Sequence, residues 1–455
     1  MIKIVFAILP VIISLSLKAQ THNSLPATNE ALLKRIHNIR TDTRISSDSA
    51  WEILSHWNQY PSITAKGRYE LFIFQDPVFG SVPFKVFIPG TYNCTVPNPA
   101  VLLLHGAVVL SSFKDAFKDT TADEDLFYRF FEANNFIIVR PFADSKGPNT
   151  DGTKLFDWVV NHRNGRVNKN KTNPTFATLA AVLSKLKEIL NIDDNRLYAF
   201  GHSDGADGVF ALQVYKPSLF AGFIVFNSML TNIFAYDMYL RNTFNRPLYM
   251  VHSDLDDLRP IQQTREQVKL LDSLKSPVLY KEYHGYKHFD QHLQKDLPFA
   301  FEWMEHISRN PFQNSMQWEL SDTSNNTCDW LRVLQIDTSA LAFSWHTEIN
   351  MKTYNKRNGK YYDDPYYSLN KSALVKASFF NNRFDIETSR TKEIELLISP
   401  VMVNQENPVV ITVNGKELFN KKIIADKDFL LDGFLKSFDR SALWITSINL
   451  QINPF

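Results

Sequence analysis

The stretch that decides the fold is residues 196–210, RLYAFGHSDGADGVF. The apolar run at residues 197–200 predicts a buried strand, and the residues after Ser203 can begin a helix. Between them lies a G-x-S-x-G pattern, Gly201-His202-Ser203-Asp204-Gly205. A serine on a tight strand-to-helix turn has its hydroxyl pushed out at the end of a sheet, and glycines permit the crowding around it. The alternative is a glycine-rich turn with a purely structural role.

Composition places the chain among folded globular proteins. Apolar residues make up 44% and charged residues 21% of the 455 positions, and this length favours two domains over one. The net charge is only +1 and the sequence has no long basic run, so nothing favours a nucleic acid or an anionic membrane as a partner.

Residues 1–19 have the features of a secretory signal peptide. Lys3 supplies a positive start, residues 4–13 are apolar, and Ala19 followed by Gln20 is a plausible cleavage site. The apolar run is too short for a stable membrane span. The sequence therefore predicts a secreted or periplasmic protein with no membrane span after cleavage; an uncleaved anchor is the alternative.

The next three hundred residues predict a mainly parallel sheet flanked by helices. Residues 20–67 have helical spacing in places and are expected to form an N-terminal helical arm. Strands are expected at residues 68–75, 82–89, 100–104, 136–140, 220–226, 247–251 and 278–283, and helices at residues 124–133, 175–190 and 289–307. Strands that alternate with helices at these lengths are typical of an α/β domain, which we expect to span residues 68–310.

A second motif precedes the serine turn. The apolar run at residues 100–104 ends in His105-Gly106-Ala107. A glycine directly after a buried strand lets a substrate carbonyl oxygen approach a backbone N–H without meeting a Cβ. On its own this pattern is weak evidence for a loop that binds an oxyanion. Its position upstream of Ser203 strengthens that interpretation.

Two further segments complete a resemblance to the α/β-hydrolase superfamily. Residues 252–260, HSDLDDLRP, are similar to the family pattern H-G-x-x-D-x-x-V-P, with Asp256 at the acid position. Ser253 replaces the usual glycine and Arg259 the usual valine, so Asp254 and Asp257 remain alternatives for the acid. Residues 284–289, HGYKHF, are similar to the segment that presents the base and place His288 there, with His284 and His292 as less favoured histidines.

This resemblance implies a Ser203–His288–Asp256 triad in the superfamily's chain order, acting through an acyl-enzyme. It also implies an oxyanion hole formed by the backbone N–H of Asp204 with that of Gly106 or Ala107. The whole arrangement resembles secreted bacterial esterases of the polyhydroxybutyrate-depolymerase and feruloyl-esterase group, so we expect hydrolysis of carboxylic esters on an acylated polysaccharide or a polyester. The alternatives are a serine peptidase of the same superfamily and a non-catalytic binding protein, the latter favoured by the Asp204 carboxylate beside the serine.

Several aromatic and basic side chains are candidate substrate contacts. His105 and His202 flank the two motifs, and Trp158 lies with His162 and Arg163 in a long polar segment, residues 143–174. A solvated loop anchored by one tryptophan explains that segment equally well. Neither a dinucleotide fingerprint, a phosphate loop nor a metal-ligand spacing occurs in the sequence, so no cofactor or metal is implied.

The character of the chain changes after Pro311. Short strands at residues 330–336, 342–347, 373–380, 383–387 and 394–398 precede a hairpin signal, Asn414-Gly415, between strands at 409–413 and 416–424. Residues 311–455 are therefore expected to form a smaller all-β, sandwich-like domain, and a chain ending near Asn310 is expected to keep activity on small esters. Tyrosines of residues 354–367 could stack on sugars or pack within a hairpin, and Cys94 and Cys328 could be bridged or separate thiols.

Overall fold

The structure, a computed structural model, describes residues 25–107, 125–143, 156, 158, 175–230, 238–365 and 371–452. The predicted signal peptide at residues 1–19 lies outside these ranges, as do His162, Arg163, Tyr366 and Tyr367. No helix among the described residues combines the length and the apolar character needed to cross a bilayer.

An eight-stranded sheet lies at the centre of the fold. It is formed by β1 (Arg68–Asp76), β2 (Gly80–Ile88), β3 (Asn98–Leu104), β4 (Ile137–Arg140), β5 (Ile192–His202), β6 (Gly222–Phe226), β7 (Leu248–Ser253) and β8 (Val278–Tyr283). The spatial order is β1-β2-β4-β3-β5-β6-β7-β8, with β1 and β2 antiparallel and every pair from β4 to β8 parallel. Every predicted strand of this sheet is present, although β5 begins at Ile192, ahead of the expected residue 197.

Helices α1 (Glu30–Thr41) and α2 (Ser47–Ser55) precede the central sheet in the chain. The helices that cover its two faces are α3 (Leu126–Ala133), α4 (Thr175–Ile189), α5 (Asp204–Tyr215), α6 (Ile261–Ser273) and α7 (His292–His306). Apolar residues of α4, α5 and α6 share one core with one face of the sheet, and those of α3 and α7 share a second core with the other face. The strands read as continuous apolar runs because both of their faces are buried.

The C-terminal part contains a pair of sheets that share one core. Its strands are β9 (Ser315–Leu320), β10 (Thr327–Cys328), β11 (Leu331–Ile336), β12 (Asn350–Asn355), β13 (Lys360–Pro365), β14 (Ala373–Phe380), β15 (Arg383–Ser389), β16 (Thr391–Ile398), β17 (Val409–Val413), β18 (Lys416–Lys421) and β19 (Thr446–Gln451). One sheet has the order β10-β11-β16-β19 and the other β18-β17-β15-β14-β9. Their inner faces contribute Leu331, Leu396, Trp318 and Ile411 to a common core.

Two predictions for this part are wrong. It is not all-β, because an eleven-residue helix, α8 (Lys427–Ser437), follows the Asn414-Gly415 hairpin. Residues 342–347 do not form a strand, because the backbone turns where the His346 N–H donates to the Phe343 carbonyl (2.9 Å). The hairpin prediction is confirmed: β17 and β18 pair around Asn414 and Gly415, both with positive φ (48° and 80°).

The N-terminal helices pack on the C-terminal helix. Leu32 and Ile36 of α1 and Leu54 of α2 share a small core with Leu430 and Phe434 of α8. The two ends of the described chain therefore stabilise each other.

Buried charges also join the C-terminal part to the central sheet region. The Lys187 ammonium lies 3.0 Å from Asp194 and 2.9 Å from Asp439, and the Arg309 guanidinium lies 2.7 Å from Asp439. All four side chains are at least nine-tenths buried. Burial alone would raise the pKa of Asp439, but Arg309 and Lys187 lower it far below the usual range.

Cys94 and Cys328 are both free thiols, so the structure contains no bridge between them. Burial raises the pKa of the Cys328 thiol well above its ordinary value.

Candidate active site

The serine turn is held by close backbone packing. Ser203 stands between the end of β5 and the start of α5, with a positive φ of 58° and a ψ of −125°. A Cβ added to Gly201 would lie 2.3 Å from the Gly205 carbonyl carbon, and one added to Gly205 would lie 2.1 Å from the Leu104 carbonyl oxygen. Only glycine fits at these two positions, and the unusual backbone of Ser203 is stabilised by its surroundings.

Three predicted side chains meet at the carboxyl edge of the sheet. The Ser203 hydroxyl donates to Nε2 of His288 (2.8 Å), and Nδ1 of His288 donates to Oδ2 of Asp256 (2.7 Å). Asp256 follows β7 and His288 follows β8, whose carboxyl ends lie at the same edge as that of β5 because the three strands are parallel. The structure thus brings together all three residues predicted for a triad.

Asp256 is held as an anion by four donors. Its Oδ1 accepts from the backbone N–H groups of Leu258 (2.9 Å) and Arg259 (2.8 Å), and its Oδ2 accepts from Asn227 (2.8 Å) as well as from His288. Burial would raise the pKa of this carboxyl, but these hydrogen bonds outweigh burial and lower it to about 2. A permanently charged carboxylate orients the imidazole and stabilises its protonated form.

Sequence reasoning missed Asn227. Its side-chain amide also donates to Ser253 Oγ (2.8 Å), and its oxygen accepts from Nε2 of His292 (2.9 Å). Asn227 directly follows β6 and has a positive φ of 54°, so an asparagine after a buried strand was the available signal. Ser253 also donates to the Lys287 carbonyl (3.0 Å) and so links the loop after β7 to the loop after β8.

The predicted oxyanion donors surround the serine. Asp204 is the first residue of α5, so its N–H has no acceptor within the helix. An ideal Cβ on Gly106 would lie 3.5 Å from the Ser203 Cβ, which places the backbone of Gly106 against the serine. Ala107 lines the same cavity as Ser203.

Arg259 accounts for the unusual Asp204 beside the serine. One end of its guanidinium donates to Asp204 (2.7 Å) and the other to Asp207 (2.5 Å). The Asp204 carboxylate is therefore paired with a cation that it shares with Asp207, and Asp204 is not among the residues that line the cavity. Burial raises the pKa of Asp207 to about 6 despite the attraction of Arg259.

The three candidate substrate contacts have different placements. His105 lines the cavity, but its ring is engaged: Nδ1 donates to the Gly106 carbonyl (2.7 Å) and Nε2 accepts from the Ala143 N–H (3.0 Å). His202 also lines the cavity, and its Nε2 donates to the His288 carbonyl (3.0 Å). Burial, with the nearby His288, lowers the pKa of His202 to about 3, so its ring is neutral.

Trp158 does not line the cavity, which corrects the prediction that it contacts substrate. It is 2% exposed and packs edge-to-face on the ring of His105, with 4.6 Å between centroids. Its other neighbour is Gly208 of α5, where an added Cβ would lie 2.6 Å from the Trp158 Cβ. Trp158 therefore packs against the His105 ring and helps to hold it in place.

The competing acids and histidines lie apart from Ser203. Asp254 accepts from the Gly285 N–H (2.7 Å) and pairs with the exposed His284 (3.2 Å). Asp257 is exposed, and its carboxylate lies 3.9 Å from Lys356. His292 is buried against Asn227, and burial lowers its pKa to about 4.

Ser203 and His288 open into a cavity of about 360 Å³. Its apolar walls come from Leu104, Phe127, Tyr128 and Phe142. Arg140, which is 1% exposed, also lines it and stacks on the rings of Tyr128 (4.7 Å) and Phe142 (5.0 Å). Among the described residues, no three side chains of His, Cys, Asp or Glu converge as a metal site.

Solved structures with some similarity to this chain include esterases and other serine hydrolases. No protein-family model and no curated protein matches the chain. A thermostable esterase is 23% identical over 53% of this chain and 63% of its own, with a TM-score of 0.42. An S-formylglutathione hydrolase from Agrobacterium tumefaciens is 14% identical over 55% of this chain and 99% of its own (0.41). A thermophilic esterase from Thermogutta terrifontis is 12% identical over 52% of this chain and 94% of its own, with a TM-score of 0.37. The chain thus spans less than two thirds of the thermostable esterase.

Proposed function

We propose that this chain is a serine hydrolase that cleaves carboxylic esters through an acyl-enzyme on Ser203. The observation that carries the proposal is the continuous path of hydrogen bonds from the Ser203 hydroxyl through His288 to the charged Asp256. This path ends in a largely apolar cavity at the start of α5, and the first N–H groups of a helix have no acceptor within the helix itself.

The reaction begins when Ser203 Oγ attacks the ester carbonyl carbon and its proton passes to Nε2 of His288. The N–H groups of Asp204 and of Gly106 or Ala107 stabilise the negative oxygen that forms. The bond to the alcohol oxygen then breaks, and His288 gives its proton to that oxygen. A water molecule next loses a proton to His288 and attacks the acyl carbon. The bond to Ser203 Oγ then breaks, His288 returns its proton to that oxygen, and the carboxylic acid is released.

The pairing of Asp204 with Arg259 argues against a non-catalytic hydrolase-like protein. The local feature that favoured a binding role was a carboxylate able to oppose the developing oxyanion. Arg259 donates to Asp204 at 2.7 Å and to Asp207 at 2.5 Å, so the Asp204 carboxylate is paired with a cation. The negative charge of the transition state then develops beside a carboxylate that is already paired.

The substrate class rests on sequence. We propose an ester of an acylated polysaccharide or a polyester, as for the secreted esterases that the sequence resembles, and a serine peptidase is the alternative. Export from the cell rests on residues 1–19. Sequencing the N-terminus of protein recovered from the medium or periplasm tests the export: we expect it to begin at Gln20, and an intact Met1 on cell-bound protein contradicts it.

The enzyme assignment is tested at the nucleophile. Ser203→Ala should lower ester hydrolysis by about 10⁴-fold or more and abolish labelling by a fluorophosphonate probe. Ser184→Ala on α4, whose hydroxyl donates to the Ala180 carbonyl within its own helix, is the matched control and should keep both. Comparable turnover by the Ser203→Ala protein would refute the proposal, and preference for an aminoacyl nitroanilide over every ester would favour the peptidase.

The acid is tested by three parallel variants. Asp256→Asn should lose far more activity than Asp254→Asn or Asp257→Asn, because Asp256 is the carboxylate that contacts His288. The kcat of each purified variant is measured on p-nitrophenyl acetate. A larger loss at Asp254 would reassign the acid.

A further inference from the structure

Two large apolar side chains stand exposed at the cavity that contains Ser203. Leu258 is 68% exposed and Phe289 is 65% exposed, and both line the cavity. Scattered exposed leucines are ordinary on protein surfaces, but two such side chains on one functional cavity indicate a contact with an apolar ligand.

The backbones that carry these side chains are fixed by the site itself. The Leu258 N–H donates to Asp256 (2.9 Å), and Phe289 directly follows His288. The Phe289 ring also packs edge-to-face on His202, with 5.5 Å between centroids. An exposed apolar side chain on a fixed backbone can bind an apolar ligand with little further loss of backbone entropy.

Proton transfer decides which part of an ester meets them. His288 must hand its proton to the alcohol oxygen as the ester bond breaks, so the alcohol part lies on the His288 side of Ser203. Phe289 is the next residue after His288, and Leu258 follows Asp256 by two positions in the loop that holds the acid. Both side chains are therefore carried by the loops that hold the base and the acid, and both line the cavity.

We propose that Leu258 and Phe289 bind the alcohol part of the ester and select an aryl or extended alkyl alcohol, as in a polyester, over a sugar hydroxyl. This inference rests on the proposed esterase function and narrows its substrate class. Burial of a leucine or phenylalanine against an apolar alcohol group should change kcat/KM about tenfold.

The experiment varies the alcohol and keeps the acyl group constant. Naphthyl acetate, methyl acetate and a glucose acetate serve as substrates, and kcat/KM is measured on each for the full chain and for Leu258→Ser and Phe289→Ser. In each variant the ratio of kcat/KM on naphthyl acetate to kcat/KM on methyl acetate should fall about tenfold, and so should the ratio to kcat/KM on the glucose acetate.

Matched controls separate this effect from general damage. Leu279→Ser on β8 and Phe380→Ser on β14 remove exposed side chains of the same types that do not line the cavity, and both should leave all three values unchanged. Equal losses on all three acetates, or losses that follow acyl length between p-nitrophenyl acetate and butyrate, would overturn the proposal. Failure of the unchanged protein to hydrolyse any ester or to react with a fluorophosphonate would instead contradict the esterase function.

Discussion

At the scale of single residues, Arg259 and Asp204 are two unexpected residues of the sequence motifs that contact each other in the structure. Arginine in place of valine and aspartate beside the nucleophile are each unexpected, yet the two side chains pair at 2.7 Å. Asp207 shares the same guanidinium at 2.5 Å. Because Arg259 is nearly buried, loss of the cation would leave two carboxylates close to the oxyanion site.

We predict that Arg259→Val lowers both stability and kcat on p-nitrophenyl acetate. The uncompensated negative charge disfavours the oxyanion, so kcat should fall by at least about tenfold. The triple variant Arg259→Val/Asp204→Asn/Asp207→Asn removes that charge and should recover most of the lost kcat. Arg265→Ala, which breaks an exposed pair with Glu282, is the control with unchanged kcat.

Three buried histidines make the fold sensitive to acid. Burial lowers the pKa of His202 to about 3 and the pKa values of His252 and His292 to about 4, against about 6.5 in an unfolded chain. Between these values the unfolded chain binds more protons, so stability is present above about pH 6.5 and is lost as the pH falls toward about 4. The pKa of Asp207 is raised to about 6, so this single group makes the folded protein more stable as the pH falls. Its effect opposes that of the three histidines and is smaller than their sum.

The melting temperature should therefore fall between about pH 7.5 and about pH 4.5. His292→Gln should make this fall smaller, whatever its effect at neutral pH, because one buried proton acceptor is gone. His306→Gln, at an exposed position on α7, is the control and should leave the dependence unchanged. A melting temperature that rises on acidification over this range would contradict the assignment of neutral buried histidines.

The sequence was informative for residues at strand ends and silent on contacts between distant residues. Ser203, Asp256 and His288 could be placed because each follows a strand of a parallel sheet, and the edge they share follows from the sheet. Arg259 and Asp204 are 55 positions apart, and Asn227 is 29 positions from Asp256. Such pairings depend on how loops bend above the sheet, which no local pattern encodes.

At the scale of elements, the close approach of α5 to β3 decides whether the serine turn can form. The backbone of Gly205 touches the carbonyl groups of Leu104 and His105, and an added Cβ would lie 2.1 Å and 2.7 Å from their oxygens. Gly433, in the middle of α8, has no atom within 4 Å of its ideal Cβ position. Replacing glycine by alanine should therefore lower the stability of the protein at Gly205 and raise it at Gly433.

We predict that Gly205→Ala displaces α5 from β3 and yields an inactive protein that is insoluble or strongly destabilised. Gly433→Ala should raise the free energy of unfolding by about 0.5–1 kcal/mol, because alanine loses less backbone freedom in a helix. Denaturant unfolding followed by circular dichroism measures both. A stable, active Gly205→Ala protein would mean that the turn does not require the close contact.

Two elements of the C-terminal part were mispredicted, and the sequence contained a usable signal for only one of them. The segment at residues 342–347 alternates apolar and polar residues only from Phe343 to His346. There the backbone turns, and the His346 side chain is buried against Glu319 (3.1 Å). Helix α8 has an N-cap aspartate, Asp426, that accepts from two backbone N–H groups, and its apolar residues follow helical spacing. That helix could have been predicted from the sequence, whereas the inward histidine could not.

At the scale of the whole molecule, the C-terminal part is bound to the α/β part by buried ions. Asp439 pairs with both Lys187 and Arg309, and Arg440 pairs with Asp194 at 3.0 Å. A chain ending near Asn310 would leave these cations without Asp439. The contacts therefore lead us to expect an unstable fragment, in place of the active one that the change in composition suggests.

We predict that Asp439→Asn costs about 3–5 kcal/mol of stability, as is typical when one partner of a buried ion pair is removed. Asp385→Asn, which breaks an exposed pair with Arg383, is the matched control and should change stability little. Urea unfolding of both variants provides the comparison. A soluble, fully active fragment ending at Asn310 would show that the buried ions are dispensable.

The packing of α8 on α1 and α2 has a consequence for synthesis. Arg40 and Asp432, which pair across this contact, are 392 positions apart in the chain. At roughly 5–20 residues per second, the ribosome makes the second helix on the order of 20–80 s after the first. Through that interval the apolar faces of α1 and α2 lack their partner, so these two helices are among the last elements to reach their final places.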